Sequence, residues 1–332
     1  MLDNFTNMAW KRRVAVSKLC VIALAGIVLS VLALPAWALS LGAGANYTLL
    51  FEGASGKTLS VNNFGTTGIW TGNIGIAGTG KLQATGPGTL NGNIDFAASN
   101  KNQASISNTT VLGSVNYGVT QVQTAMDYLN ALSTSLGAEH TFAPNVAINT
   151  TVAQTIQTSN GFLDSGGNRV FNVTSFQSNN GENLILKSDG ANDVVFDIKF
   201  SVQFNGNILL QDLTGKFFGD TGYAGLYPDQ VLWNVYGNNH KMDLNNNGNS
   251  SHPSNITYGV FLDPYGTVSA VNTRLVGRIF GGNTQNMQVV SGNTITAPPQ
   301  SPSGHTPEPV TLAGFCAGLA GVAGYLRKRV AR

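Results

Sequence analysis

Cysteine is nearly absent from this chain. Of 332 residues only Cys20 and Cys316 are cysteine, and each sits inside a terminal apolar run. The 268 residues from Leu39 to Thr306 have none, so no disulfide, thiol chemistry or cysteine metal site is available there. A domain of that size buries enough apolar surface to do without disulfides. Charge is also scarce, at 10% of residues. Eight of the 18 basic residues lie in the terminal segments, leaving 10 basic against 14 acidic between Leu39 and Thr306. A weakly acidic domain with scattered lysines is a poor partner for nucleic acid, despite an overall net charge of +2. Catalytic signatures are missing too. There is no GxSxG element, and His140, His240, His252 and His305 form neither HxH nor HExxH. Two Gly-Lys turns fail as phosphate loops. In one, Phe51 stands where the first glycine belongs, and in the other Leu82 replaces the magnesium-binding hydroxyl. The composition calls for no cofactor, and no catalytic residue is assigned.

What is present is clearest at the two ends. Lys11-Arg12-Arg13 precede an apolar stretch that runs to Leu34, followed by Pro35 and Ala36-Trp37-Ala38. A basic start, an apolar run and a small-x-small site make residues 1–38 a secretory signal peptide, with cleavage by signal peptidase between Ala38 and Leu39. At the other end Pro307-Glu308-Pro309 precedes an uncharged run, residues 310–326, and Arg327, Lys328 and Arg329 close it with Arg332 beyond. Seventeen residues reach about 26 Å as a helix, a marginal bilayer span, and the basic end is a positive-inside stop. This tripeptide, helix and basic end resemble the PEP-CTERM sorting signal of Gram-negative bacteria. The resemblance implies recognition by an exosortase-type enzyme, transient inner-membrane anchoring and delivery to the surface or medium, in bacteria that make exopolysaccharide. An ordinary C-terminal anchor is the plainer alternative. Residues 298–306, rich in Pro and Ser, read as a linker.

Residues 39–297 form the domain proper. Short apolar segments alternate with Gly/Asn turns, as in VFNVTSFQ, DVVFDIKFSVQF and QVLWNVYG. Many short strands with polar turns predict a mainly β fold, and no fixed repeat period is visible. Thr120 to Leu136 breaks the pattern with apolar residues at Val122, Met126, Leu129, Leu132 and Leu136, the spacing of an amphipathic helix. Thr120 and Gln123 suggest a capping box, and Gly137 suggests the stop. Trp233, inside VLWNVYG, is expected in the core. The segments LGAGANYTLLFEG and GNIGIAGTG, the helix and later strands such as VLWNVYG resemble the ice-binding-like β-solenoid domains. The second half, with FLDPYGTV and GRIFGGNTQNMQVVSG, equally resembles the choice-of-anchor A domain. These resemblances imply a discontinuous β-solenoid with the helix of about 120–136 packed alongside.

Candidate sites are few. Asp243, Asn245 and Asn247 match the first positions of an EF-hand loop, but Ser254 stands where a bidentate Glu is required, so any Ca²⁺ site is weak. Asp220, Tyr223, Tyr227 and Asp229 form an aromatic loop suited to a sugar ligand. Asp193 and Asp197, four apart, read as carboxylates on one strand face, without evidence that they converge. The domain is expected to be structural or adhesive, in the envelope or the exopolysaccharide matrix, and not an enzyme. An ice- or glycan-binding module is the first alternative, marked by a flat, regular outward face. A polysaccharide-cleaving enzyme is the second.

Overall fold

The computed structural model describes residues 39–64, 69–139, 141–178, 182–245, 256–282, 285–290 and 293–299. Every described residue belongs to one compact unit, which begins at Ala38. Ala38, Asn247, the motif Pro307-Glu308-Pro309, the run 310–326 and the stop Arg327-Lys328-Arg329 lie outside the described residues. Among the described residues no helix is long and apolar enough to cross a membrane.

The fold is mainly β with one long helix, as expected. Among the described strands every pairing is parallel except that of Phe162–Leu163 with Arg169–Ser178. Parallel neighbours joined by turns mean that the chain winds in coils, each coil stacking on another. The stacking order is not the chain order. Strands Tyr47–Phe51, Asn73–Ile76, Ile94–Phe96 and Val115–Tyr117 stack in one direction. The remaining coils arrive from the other end and close on the first one. Arg274–Gly281 pairs with Tyr47–Phe51, and Met287–Val290 pairs with Thr58–Asn62.

Coil length explains why no repeat shows in the sequence. Leu59, Leu82 and Ala104 are in register at steps of 23 and 22 residues. Phe171, Phe196, Trp233, Phe261 and Ile279 are also in register, at steps of 25, 37, 28 and 18. The turns absorb the difference and leave the strands aligned. That alignment stacks rings inside the coil: Phe196 lies on Trp233 at 4.2 Å with planes 9° apart, and Phe171 lies on Phe196 at 5.2 Å. Trp233 is fully buried, as its sequence context predicts.

The helix α1 spans Thr120–Glu139, three residues longer than its pattern predicts. Its apolar stripe, Val122, Ala125, Met126, Leu129 and Leu136, packs on the outer side of the large sheet, against Leu50, Val195, Leu232, Val260 and Phe280. Gly137 is not the stop. It lies within the last turn, where a Cβ would come within 2.5 Å of the Tyr236 ring, so its missing side chain allows close packing. Gln123 does not turn back to cap the helix either: its Oε1 accepts the N–H of Gly78 at 2.7 Å, tying the helix start to a coil turn. Because α1 covers the large sheet, the strands beneath it are apolar on both faces. Val194–Ile198, Val231–Val235 and Thr257–Asp263 are buried at every position. Asp197, read from the sequence as one of two carboxylates on a strand face, is wholly buried, and Asp193 lies just before the strand.

Candidate binding surface

A second sheet of seven strands lies on another side of the coil. Its order is Val202–Phe204, Lys241–Asn245, Thr267–Val271, Met287–Val290, Thr58–Asn62, Lys81–Thr85 and Ala104–Ser107. Here the alternation is clean. Met242, Val268, Met287, Leu59 and Leu82 point into the core, and so do Leu244, Ala270, Val289, Val61 and Ala84. The residues between them point out.

Register puts the outward residues in rows. The central row runs Gln203, Asp243, Ser269, Gln288, Ser60, Gln83 and Ser105, one residue per strand and every one polar. A flanking row runs Asn245, Val271, Val290, Asn62, Thr85 and Ser107. With strands about 4.8 Å apart, the central row extends about 29 Å, and rows on one face are about 6.6 Å apart. No outward residue of either row is aromatic. The charges in this sheet are mixed and few: Lys241 pairs with Asp243 at 2.7 Å, and Lys81 stands across the sheet. Polar groups at fixed spacing on a hydrogen-bonded backbone make a regular row of donors and acceptors with little charge. Sequence reasoning offered a regular outward face only as an alternative and assigned no residues to it. The row appears once Met287 is known to lie beside Leu59, 228 positions away.

The sequence candidates fall elsewhere or dissolve. Asp243 and Asn245 lie on a strand in this sheet, aligned with Ser269 and Val271, so they do not form the coordinating loop an EF-hand needs, and the Asp243 carboxylate is held by Lys241. In the loop 220–229, Asp220 accepts the N–H of Phe217 at 2.8 Å. Tyr223 donates its hydroxyl to the Leu226 carbonyl at 2.7 Å, and burial raises its pKa. The rings of Tyr223, Tyr227 and Tyr258 surround Phe218 with centroids 5.2–5.6 Å away. Asp229 faces the buried guanidinium of Arg278. The loop's rings are half-buried, Phe218 and Tyr223 pack against the main core, and Asp220 stays exposed.

Sequence reasoning also missed a buried polar network under α1. Ser133 on the helix donates to Oδ1 of Asn234, whose Nδ2 donates to Asp197 at 2.8 Å and to the Ser133 carbonyl at 3.1 Å. Burial pushes the Asp197 carboxyl up to about 8; the Asn234 hydrogen bond opposes this, and Glu139 and Asp164 add to it. Glu139 is likewise raised, by burial and then by Asp164. Asp164 in turn accepts two hydrogen bonds from Asn168, both at 2.7 Å. A second buried carboxyl, Asp263, is raised to about 8 by desolvation, opposed by the N–H of Gly266. Asp197 and Asn234 carried the signal, polar residues inside the apolar runs VVFDI and VLWNV.

A scan against known protein families finds no match, and none is found among curated proteins. Solved structures of similar shape do exist. An ice binding protein from an Antarctic biological consortium matches at 13% identity with a TM-score of 0.49, covering 79% of this chain and 92% of its own. An ice-binding protein from the Antarctic ascomycete Antarctomyces psychrotrophicus matches at 16% identity and TM-score 0.44, covering 80% and 100%. An ice-binding protein domain of Shewanella frigidimarina matches at 16% identity and TM-score 0.47, covering 79% and 98%. With TM-scores under 0.5, these likenesses stand as observations, and the functional reading rests on the chain's own geometry.

Proposed function

We propose that this chain is an exported binding module, a discontinuous β-solenoid whose seven-stranded polar sheet engages an extended, repeating array of hydroxyls or water, ice foremost. The observation that carries the reading is the central row, seven polar residues in register from Gln203 to Ser105. Its chemistry narrows the ligand. Without aromatic rings the face has nothing to stack on a sugar. With Lys241 paired to Asp243 it has no single-sign field for a polyanion. What remains is multiple hydrogen bonding to a regular plane, and ice is such a plane.

An exopolysaccharide strand is the second reading. The long side chains of Gln203, Gln288 and Gln83, and the surface-sorting pattern of the C-terminal tail, favour it. On either reading the chain is exported, trimmed by signal peptidase and delivered by an exosortase-type enzyme to the cell surface or matrix, and it is not an enzyme. The test is ice recrystallisation inhibition and thermal hysteresis with the purified protein, alongside co-sedimentation with insoluble polysaccharide. Activity on ice that disappears in Ser60→Tyr supports the first reading. Sedimentation with polysaccharide alone supports the second. Release of reducing ends from the polysaccharide would overturn the non-enzymatic assignment.

A further inference from the structure

The described fold begins at Leu39, and that residue is anchored from its first atom. The Leu39 nitrogen donates to Oδ2 of Asp193, a carboxylate only 4% exposed. The other oxygen of Asp193 accepts Nε2 of Gln230 at 3.0 Å. Asp193 is held in turn by its backbone, whose carbonyl accepts the N–H of Arg169 at 2.7 Å. It stands immediately before the buried strand Val194–Ile198, and Gln230 immediately before Val231–Val235. The residues that follow Leu39 are fixed as well. Leu39 packs against the apolar cluster under α1, the Ser40 carbonyl accepts the hydroxyl of Tyr128 at 3.0 Å, and Leu41 is buried in the same cluster.

This is the residue at which the signal peptide is expected to end. Signal peptidase adds water across the Ala38–Leu39 bond. Ala38 departs with the new carboxylate, and the Leu39 nitrogen takes up a proton to become an ammonium. The nitrogen that donates to Asp193 as a neutral amide before the cut would then be a cation against the same buried carboxylate. We infer that Asp193 is the receptor for the mature N-terminus, so that signal removal completes an internal ion pair which joins the start of the chain to the sheet beneath α1. The inference rests on cleavage after Ala38 and is independent of what the polar sheet binds. Charge-assisted hydrogen bonds to a buried group are about twice as strong as neutral ones, so export and processing would tighten the fold as well as trim it.

The test uses the protein collected from the cell surface or medium. Its intact mass gives the first residue. Acylation of the α-amine at neutral pH is then compared in the folded and urea-unfolded protein. The mature chain should begin at Leu39, and its α-amine should label about tenfold more slowly when folded. A chain that keeps Ala38 as one extra residue should melt about 5 °C lower, and Asp193→Asn should lower melting in the Leu39 chain but add little in the Ala38 chain. The one-residue extension leaves every side chain in place, so the test survives if Asp193→Asn does not fold. A mature start at another residue, equal labelling in the two states, or an Ala38 chain that melts with the Leu39 chain would each overturn the inference.

Discussion

The two large sheets of this molecule share one coil and differ in what covers them. The strands under α1 are buried on both faces, and the polar groups Asp197 and Asn234 there are wholly buried and bonded to each other. The seven-stranded sheet is apolar inward and polar along its outward central row, which remains open to solvent or ligand. The same period-2 backbone therefore gives two roles. One sheet exchanges its outer face for stability, by packing on a helix. The other keeps that face open, which is where the proposed function puts recognition.

Substitutions should separate the two sheets. The largest effect is expected inside the coil. Trp233→Ala removes the ring between Phe196 and Phe261 and should cost about 3–5 kcal/mol, read by chemical denaturation. Leu129→Ala, on the helix stripe, should cost about 2–5 kcal/mol by the same measurement. A smaller loss, about 1–3 kcal/mol, is expected for Gly137→Ala, because the new Cβ must displace the Tyr236 ring. On the open sheet, Ser60→Ala and Ser269→Ala should change stability by no more than about 0.5 kcal/mol. If the outward serines cost as much as Leu129, the division of labour between the sheets is wrong.

Acidity sharpens the same contrast. The Asp197 carboxyl is raised by burial to about 8 in the folded state. Its contribution to stability is therefore complete below the ordinary carboxylate range and is lost as pH rises toward 8. Asp263 acts in the same direction. Melting temperature should thus fall between pH 5 and pH 8, and Asp197→Asn should flatten that fall while keeping an acceptor for Asn234. An unchanged pH profile in Asp197→Asn would mean that the network under α1 does not hold a neutral carboxyl.

How much of this was legible follows from how local each feature is. The helix was legible from Val122, Met126, Leu129, Leu132 and Leu136, because its stripe is written in consecutive turns. Its end was misread because Gly137 serves a contact with Tyr236, nearly a hundred residues away. Strands such as VLWNV and DVVFDI were legible as strands. That they are buried on both sides was not, since the covering helix precedes them by more than fifty residues. The polar row was the least legible. Its members come from coils of unequal length, and the join of Met287 to Leu59 closes the chain on itself late. The loop of Asp220, Tyr223, Tyr227 and Asp229 looked like a site because aromatics and acids stood close in sequence; the contacts of its rings with Phe218 and of Asp229 with Arg278 were not legible there.

The most direct test compares the purified protein with a double variant, Ser60→Tyr and Ser269→Tyr, in ice recrystallisation inhibition, with melting temperature as the control. Both substitutions raise bulk from the middle of the central row and touch nothing in the core. The account predicts activity in the parent protein, its loss in the variant, and a melting temperature within a few degrees of the parent's. Equal activity in the two proteins would contradict it, because the polar sheet would then not be the surface that binds.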